Sequence, residues 1–193
     1  MTRRGTLGGI GLALALLAAV GCDESPTAEA TPPPQALTAA AVGHYCNMNV
    51  LEHAGPKGQI LLRSSSEPVW FTSARDALAF TMLPEEPKDI RALYVSDMGR
   101  AASWEQPGAE NWVDGRKAFY VVGSRRRGGM GAEEAVPFSD RAAAERFAAE
   151  NGGRVVAFGE VPRDYVLGAS AAADAPPPPD AAAEPAPAPA HRH

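Results

Sequence analysis

The sequence predicts an α+β protein made of two small homologous halves, each with short strands packed on one helix. Three observations lead there. Short apolar runs and one helical stretch recur in the same order in both parts of the chain's central region. Each helix follows an aromatic residue and a Ser or Thr, the composition of a capped turn. A single such unit is too small to bury its own sheet and helix, so the two must support each other.

In the first half, Gln59-Ile60-Leu61-Leu62 and Pro68-Val69-Trp70-Phe71 read as strands. Ser73, with Asp76 three residues on, opens a helix whose apolar face includes Ala77, Leu78 and Phe80. Met82 belongs to the same packing face. Pro84 and Pro87 end the helix, and Ile90 to Val95 alternate as a strand does. The second half repeats the order. Ala118 to Val122 and Ala135 to Phe138 are strands, Ser139 to Phe147 is a capped helix, Asn151-Gly152-Gly153 stop it, and Arg154 to Phe158 form the last strand.

The flanks differ in kind. Thr2-Arg3-Arg4 precede the charge-free run Leu7 to Val20, which is too short to span ~30 Å of hydrocarbon but suits a signal peptide. It ends in Ala19-Val20-Gly21-Cys22, small residues before a cysteine, the pattern of bacterial lipoprotein processing. The expected organisation is therefore a signal peptide over 1–21, acylation at Cys22, and a disordered tether over 22–39. The first half spans 40–105, the second 106–168, and an Ala/Pro-rich disordered tail 169–193. Export with a lipid anchor puts the domain on the periplasmic side of the cell membrane, and Asp23 resembles the signal that keeps lipoproteins in the inner membrane.

The formal charge of −5, from 18 basic and 23 acidic residues, offers no general attraction for nucleic acid. The basic run Arg125-Arg126-Arg127, flanked by glycines, reads as a solvated loop, with a docking patch as the alternative. Of the two cysteines, lipidation of Cys22 leaves Cys46 alone. An exported protein then has no internal disulfide, and a single thiol in an oxidising space needs burial or a task.

The segment His44-Tyr45-Cys46-Asn47-Met48, followed by Glu52-His53-Ala54-Gly55-Pro56-Lys57-Gly58, is the densest group of sulfur and polar side chains. In an extended segment Cys46 and Met48 would point the same way, so thiolate and thioether could converge on one ion. His53 can return after a short turn. Thiolate with thioether is a soft pair that favours Cu(I) over Mg or Ca, and imidazole is compatible with it. One thiol is too few for an iron–sulfur cluster and a poor match for structural zinc. Met130, between Gly129 and Gly131, has little local packing and long reach; Met98, at a strand end, reads as packing or turn. Each of these residues also has an ordinary reading as a core or surface side chain. The rival chemistry is a thiol enzyme with Cys46 as nucleophile, His44 or His53 as base and Glu52 as orienting carboxylate. A lipoprotein without metal is the third possibility.

Three runs stand out together: Tyr45-Cys46-Asn47-Met48, His53-Ala54-Gly55-Pro56-Lys57-Gly58-Gln59 and Ala92-Leu93-Tyr94-Val95-Ser96-Asp97. Trp112, Ala118-Phe119-Tyr120-Val121-Val122, Gly129-Met130-Gly131 and Pro137-Phe138 follow them. In these residues the sequence resembles the NosL family, lipoproteins encoded with the nitrous oxide reductase system. The tail ending in His191 and His193 departs from the family pattern. The resemblance implies a non-enzymatic carrier of one Cu(I) ion, with nitrous oxide reductase as acceptor and a membrane-associated copper donor. It implies metal ligation by Cys46 and Met130, with Met48 and His53 as ligands or their close supports.

Overall fold

The structure, a computed structural model, describes residues 30–168. The signal peptide, Cys22, most of the tether and the tail with His191 and His193 lie outside the described residues. From Thr31 the described chain forms one compact unit.

The first sheet has the antiparallel order β2-β1-β3-β4, from β1 (Gly58–Leu62), β2 (Val69–Phe71), β3 (Ile90–Ser96) and β4 (Trp112–Asp114). The second has the order β6-β5-β7, from β5 (Phe119–Val122), β6 (Val136–Phe138) and β7 (Arg154–Ala157). The helices are α1 (Ala74–Met82), α2 (Arg141–Asn151) and α3 (Arg163–Leu167). Each half therefore runs strand, strand, helix, strand, and in each the first strand lies in the middle. The expected α+β class and its two related halves are what the chain adopts. β4 pairs with β3, so the chain leaves the first sheet after Asp114, later than the expected passage at 105–106.

Burial explains the layering. Ile60 and Leu62 face α1, where Ala77, Leu78 and Phe80 are almost fully enclosed. Gly58 permits this approach, because a methyl there would collide with Ala77 Cβ. Tyr120, Val122 and Val156 join the same cluster from the second sheet. Val121, Phe138 and Ala144 form a separate cluster under α2 on that sheet's other face. Pro137 sits in edge strand β6, where a missing donor is tolerated.

Ser73 caps α1, its Oγ accepting from Asp76 N at 3.3 Å. The cap of α2 is Asp140, which accepts from Ala143 N at 2.8 Å. Its neighbour Ser139, the sequence counterpart of Ser73, serves instead as a clasp between the halves: its Oγ donates to Asp97 Oδ2 at 2.5 Å and its N–H to Oδ1 at 3.1 Å. The tether was expected to run to residue 39, yet the chain is docked from Pro32. Tyr94 OH donates to Pro32 O, and Gln35 and Gln59 exchange two hydrogen bonds of 2.8 Å. Leu37 is buried against Ala41 and Val50, on the face of the first sheet opposite α1. Among the described residues no helix is long and apolar enough to cross a membrane.

Candidate metal centre

Cys46 and Met48 lie in a tight turn, not in the extended segment their spacing suggested. Asn47 N donates to Gly43 O at 2.8 Å and Gly43 N to Met48 O at 2.9 Å. Asn47 takes φ 55°, a left-handed conformation that asparagine tolerates better than most residues. The thiol lies back over Gly43, where a Cβ would stand 2.6 Å from Cys46 Sγ. Cys46 is half-buried and free, with Thr72 Oγ1 3.7 Å from its sulfur. Met48 is exposed.

The turn is fastened to the first half at two places. His44 N donates to Trp70 O at 2.8 Å, covering part of the free edge of β2. Glu86, in the loop between α1 and β3, accepts from Tyr45 OH at 2.9 Å and lies 3.3 Å from His44 Nε2. Burial and the Glu86 carboxylate push the Tyr45 phenol up, so it stays a donor. His44 packs against Phe71 and Phe80. It is committed to Glu86 and supports the turn.

His53 follows a short 3-10 turn, Val50–Glu52. Behind it the ammonium of Lys57 is held by backbone carbonyls: His53 O, Ala54 O at 3.2 Å and Thr72 O at 3.4 Å. Burial lowers Lys57 to about 8, with the Glu134 carboxylate opposing that shift. Lys57 thus ties the His53 segment to Thr72, the residue beside the Cys46 sulfur.

The second half reaches this place through a hairpin. Arg127 bridges to Glu133, Gly128 N donates to Ala132 O at 2.9 Å, and Gly131 N to Gly128 O at 2.8 Å. Gly129 at the tip abuts the first half: a Cβ there would lie 2.5 Å from His53 Cβ and 2.9 Å from Ala54 O. Gly129 O is 3.4 Å from His53 Nδ1. A proton on Nδ1 directed at this carbonyl leaves Nε2 with a bare lone pair, the tautomer a metal requires. His53 Nε2 is buried and has no hydrogen-bond partner among the described residues. Met130, next in the chain, is 52% exposed, a long thioether free to turn.

Among the described residues no three His, Cys, Asp or Glu side chains gather where a metal could sit. A soft-ion site of the kind expected from the sequence would add methionine sulfur to the Cys46 thiol and the His53 ring. The sequence pointed to Cys46, Met48, His53 and Met130, and contacts through Thr72, Lys57 and Gly129 link Cys46 to His53 and to the Met130 hairpin. It passed over Thr72, Glu86 and Glu134. Those side chains act through positions distant in sequence, and no local pattern marks them.

Fold and contacts together define a two-half α+β protein in which the Gly129 hairpin of one half seats on the His53 segment of the other. The family model described as NosL matches residues 34–166. The copper-binding lipoprotein NosL of Achromobacter cycloclastes is 50% identical over 159 residues, 82% of this chain and 80% of that protein. The protein of the same name from Stutzerimonas stutzeri is 35% identical over 79% of this chain and 80% of its own length. The crystal structure of the copper chaperone NosL from Shewanella denitrificans superposes with a TM-score of 0.63 at 34% identity, covering 67% of this chain and 97% of that one. The chain belongs to the NosL family.

Proposed function

We propose that this protein is a periplasmic Cu(I)-binding metallochaperone that delivers copper for assembly of the catalytic copper centre of nitrous oxide reductase. It carries one Cu(I) ion on Cys46 and Met130, with Met48 and His53 completing or supporting the set. Acylated Cys22 anchors it to the membrane, at the inner membrane by the reading of Asp23, near a membrane-associated copper donor. The copper names of its relatives support the cargo.

The observation that carries this reading is the seating of Gly129 on His53, which sets the Met130 hairpin of one half against the Cys-His segment of the other. One thiolate and one monovalent ion leave a nearly neutral site, which partial burial penalises little. Neutral thioethers exchange readily, and an exposed Met130 can leave the ion as an acceptor ligand enters. Transfer then proceeds by ligand exchange: each copper–sulfur bond to the protein breaks as a bond to an acceptor ligand forms, and no covalent bond within the protein changes. The thiol's hydrogen-bonding neighbour is the Thr72 hydroxyl, whereas a cysteine nucleophile needs an imidazole base in reach.

The test is a titration of reduced protein with Cu(I) against a competing chelator, followed by mixing with copper-free nitrous oxide reductase. One tight site, severely weakened in Cys46→Ala, and movement of copper to the reductase are expected. Unchanged binding in Cys46→Ala would refute the site, and copper retained by the carrier would refute the delivery.

A further inference from the structure

Glu134 is fully buried. Its Oε1 accepts from Arg75 N at 2.9 Å, Ala135 N at 2.9 Å and Ser73 Oγ at 3.3 Å. Its Oε2 has no hydrogen-bond partner among the described residues and faces Gly128, where a Cβ would lie 2.8 Å away. Burying a carboxyl and leaving one oxygen unpaired is costly, and such groups call for an explanation beyond packing.

Its neighbours suggest one. Ser73 and Arg75 open α1 directly after Thr72, whose hydroxyl is beside Cys46 Sγ and whose carbonyl receives Lys57. Gly128 is the root of the hairpin that carries Met130. One carboxyl is therefore bonded to the segment that backs the thiol and pressed against the base of the loop that carries the thioether. The bonds to Oε1 fix the carboxyl, and Gly128 lacks a side chain where Oε2 needs the space.

We propose that Glu134 is a positioning residue for the cargo: it sets the Met130 hairpin at the distance from the Cys46–Thr72 segment that lets thioether and thiolate share one ion. This rests on the copper reading above and on the role given there to Met130.

The experiment compares Cu(I) affinity, by chelator competition on reduced full chain, for the unmodified protein, Met130→Ala, Glu134→Ala, the double variant and Glu134→Gln. Glu134→Ala should weaken binding about tenfold, the low end of the loss when a metal ligand's support is removed. The double variant should match Met130→Ala within about twofold, because a mispositioned ligand has nothing further to lose. Glu134→Gln, which retains Oε1, should bind within about threefold of the unmodified chain. X-ray absorption at copper should find one sulfur fewer in Glu134→Ala, as in Met130→Ala. Normal affinity in Glu134→Ala, or losses that add in the double variant, would overturn the proposal while leaving the copper site standing. Normal affinity in Met130→Ala would overturn both this proposal and Met130 as a ligand. Should Glu134→Ala fail to fold, Gly128→Ala tests the same contact from the other side. It should lose affinity without adding to Met130→Ala, and unchanged binding in Gly128→Ala would overturn the proposal.

Discussion

Gly129 and His53, 76 positions apart in the chain, meet so closely that a single methyl on the glycine would stand 2.5 Å from the histidine Cβ. The contact brings the Met130 loop to the first half, and its tightness makes it testable. Gly129→Ala should push the hairpin off His53 and reduce Cu(I) affinity by about tenfold, while far-ultraviolet circular dichroism stays that of the parent. Chelator competition reads the affinity, and full binding with the methyl in place would mean that this contact is incidental.

The proposed donor set predicts a graded series. Removal of the Cys46 thiolate, in Cys46→Ala, should cost more affinity than loss of either neutral thioether, in Met48→Leu or Met130→Leu. Copper X-ray absorption should lose a sulfur neighbour in each ligand variant. His53→Ala should remove a nitrogen neighbour if the ring binds copper, and leave the spectrum unchanged if it serves as support. A Met48→Leu protein with an unaltered sulfur count would exclude Met48 as a ligand.

Asp97 clasps the halves, accepting from Gly99 N at 3.0 Å as well as from both donors of Ser139. Asp97→Ala removes a buried acceptor and with it three part-buried hydrogen bonds to a charged group, at about 2–4 kcal/mol. Thermal unfolding should shift down by roughly 6–12 °C. Asp97→Asn keeps one acceptor and should recover part of the loss. A melting point within a degree or two of the parent would show that the halves hold together without this clasp.

Stability should depend on pH through Glu134. In the unfolded chain this carboxyl ionises near 4.5, whereas burial holds its proton up to about 8 in the folded one. Between these values the folded state binds the extra proton, so stability falls as pH rises, by up to about 1.4 kcal/mol per unit. Above about 8 this contribution levels off. Asp76, also raised by burial, acts in the same direction, and Lys57 acts oppositely between about 8 and 10.5. Denaturant titrations from about pH 5 to about pH 8 should show the decline in the parent and a flatter profile in Glu134→Gln. Parallel profiles would assign the slope to other groups.

Much of the fold was legible because short-range rules decide it. The capped start of α1 at Ser73, its end before Pro84 and the arrest of α2 at Gly152 depend on neighbours a few residues away. Pattern reading placed a cap near Ser139 and missed its owner by one residue, because Asp97 draws Ser139 away from the helix. β4 and α3 escaped notice. Each is only a few residues long, and they are held by pairing with β3 and by Val166 entering the common core. The docking of Pro32 to Leu37 was equally hidden, since proline-rich chain looks like a linker until a sheet face receives it.

The site divides in the same way. The amino-acid order alone determined the kind of chemistry on offer among the described residues: a thiol at Cys46, thioethers at Met48 and Met130 and an imidazole at His53, a set that suits soft ions. It also determined the two-part repeat, because periodicity and capping are local. Only the tertiary structure decided that Cys46 sits in a turn closed on Gly43, that His44 goes to Glu86, and that the Met130 hairpin seats on His53. Those outcomes depend on close approach between segments far apart in the chain. Such approach is governed by which atoms leave room for one another, and a linear pattern carries no record of that.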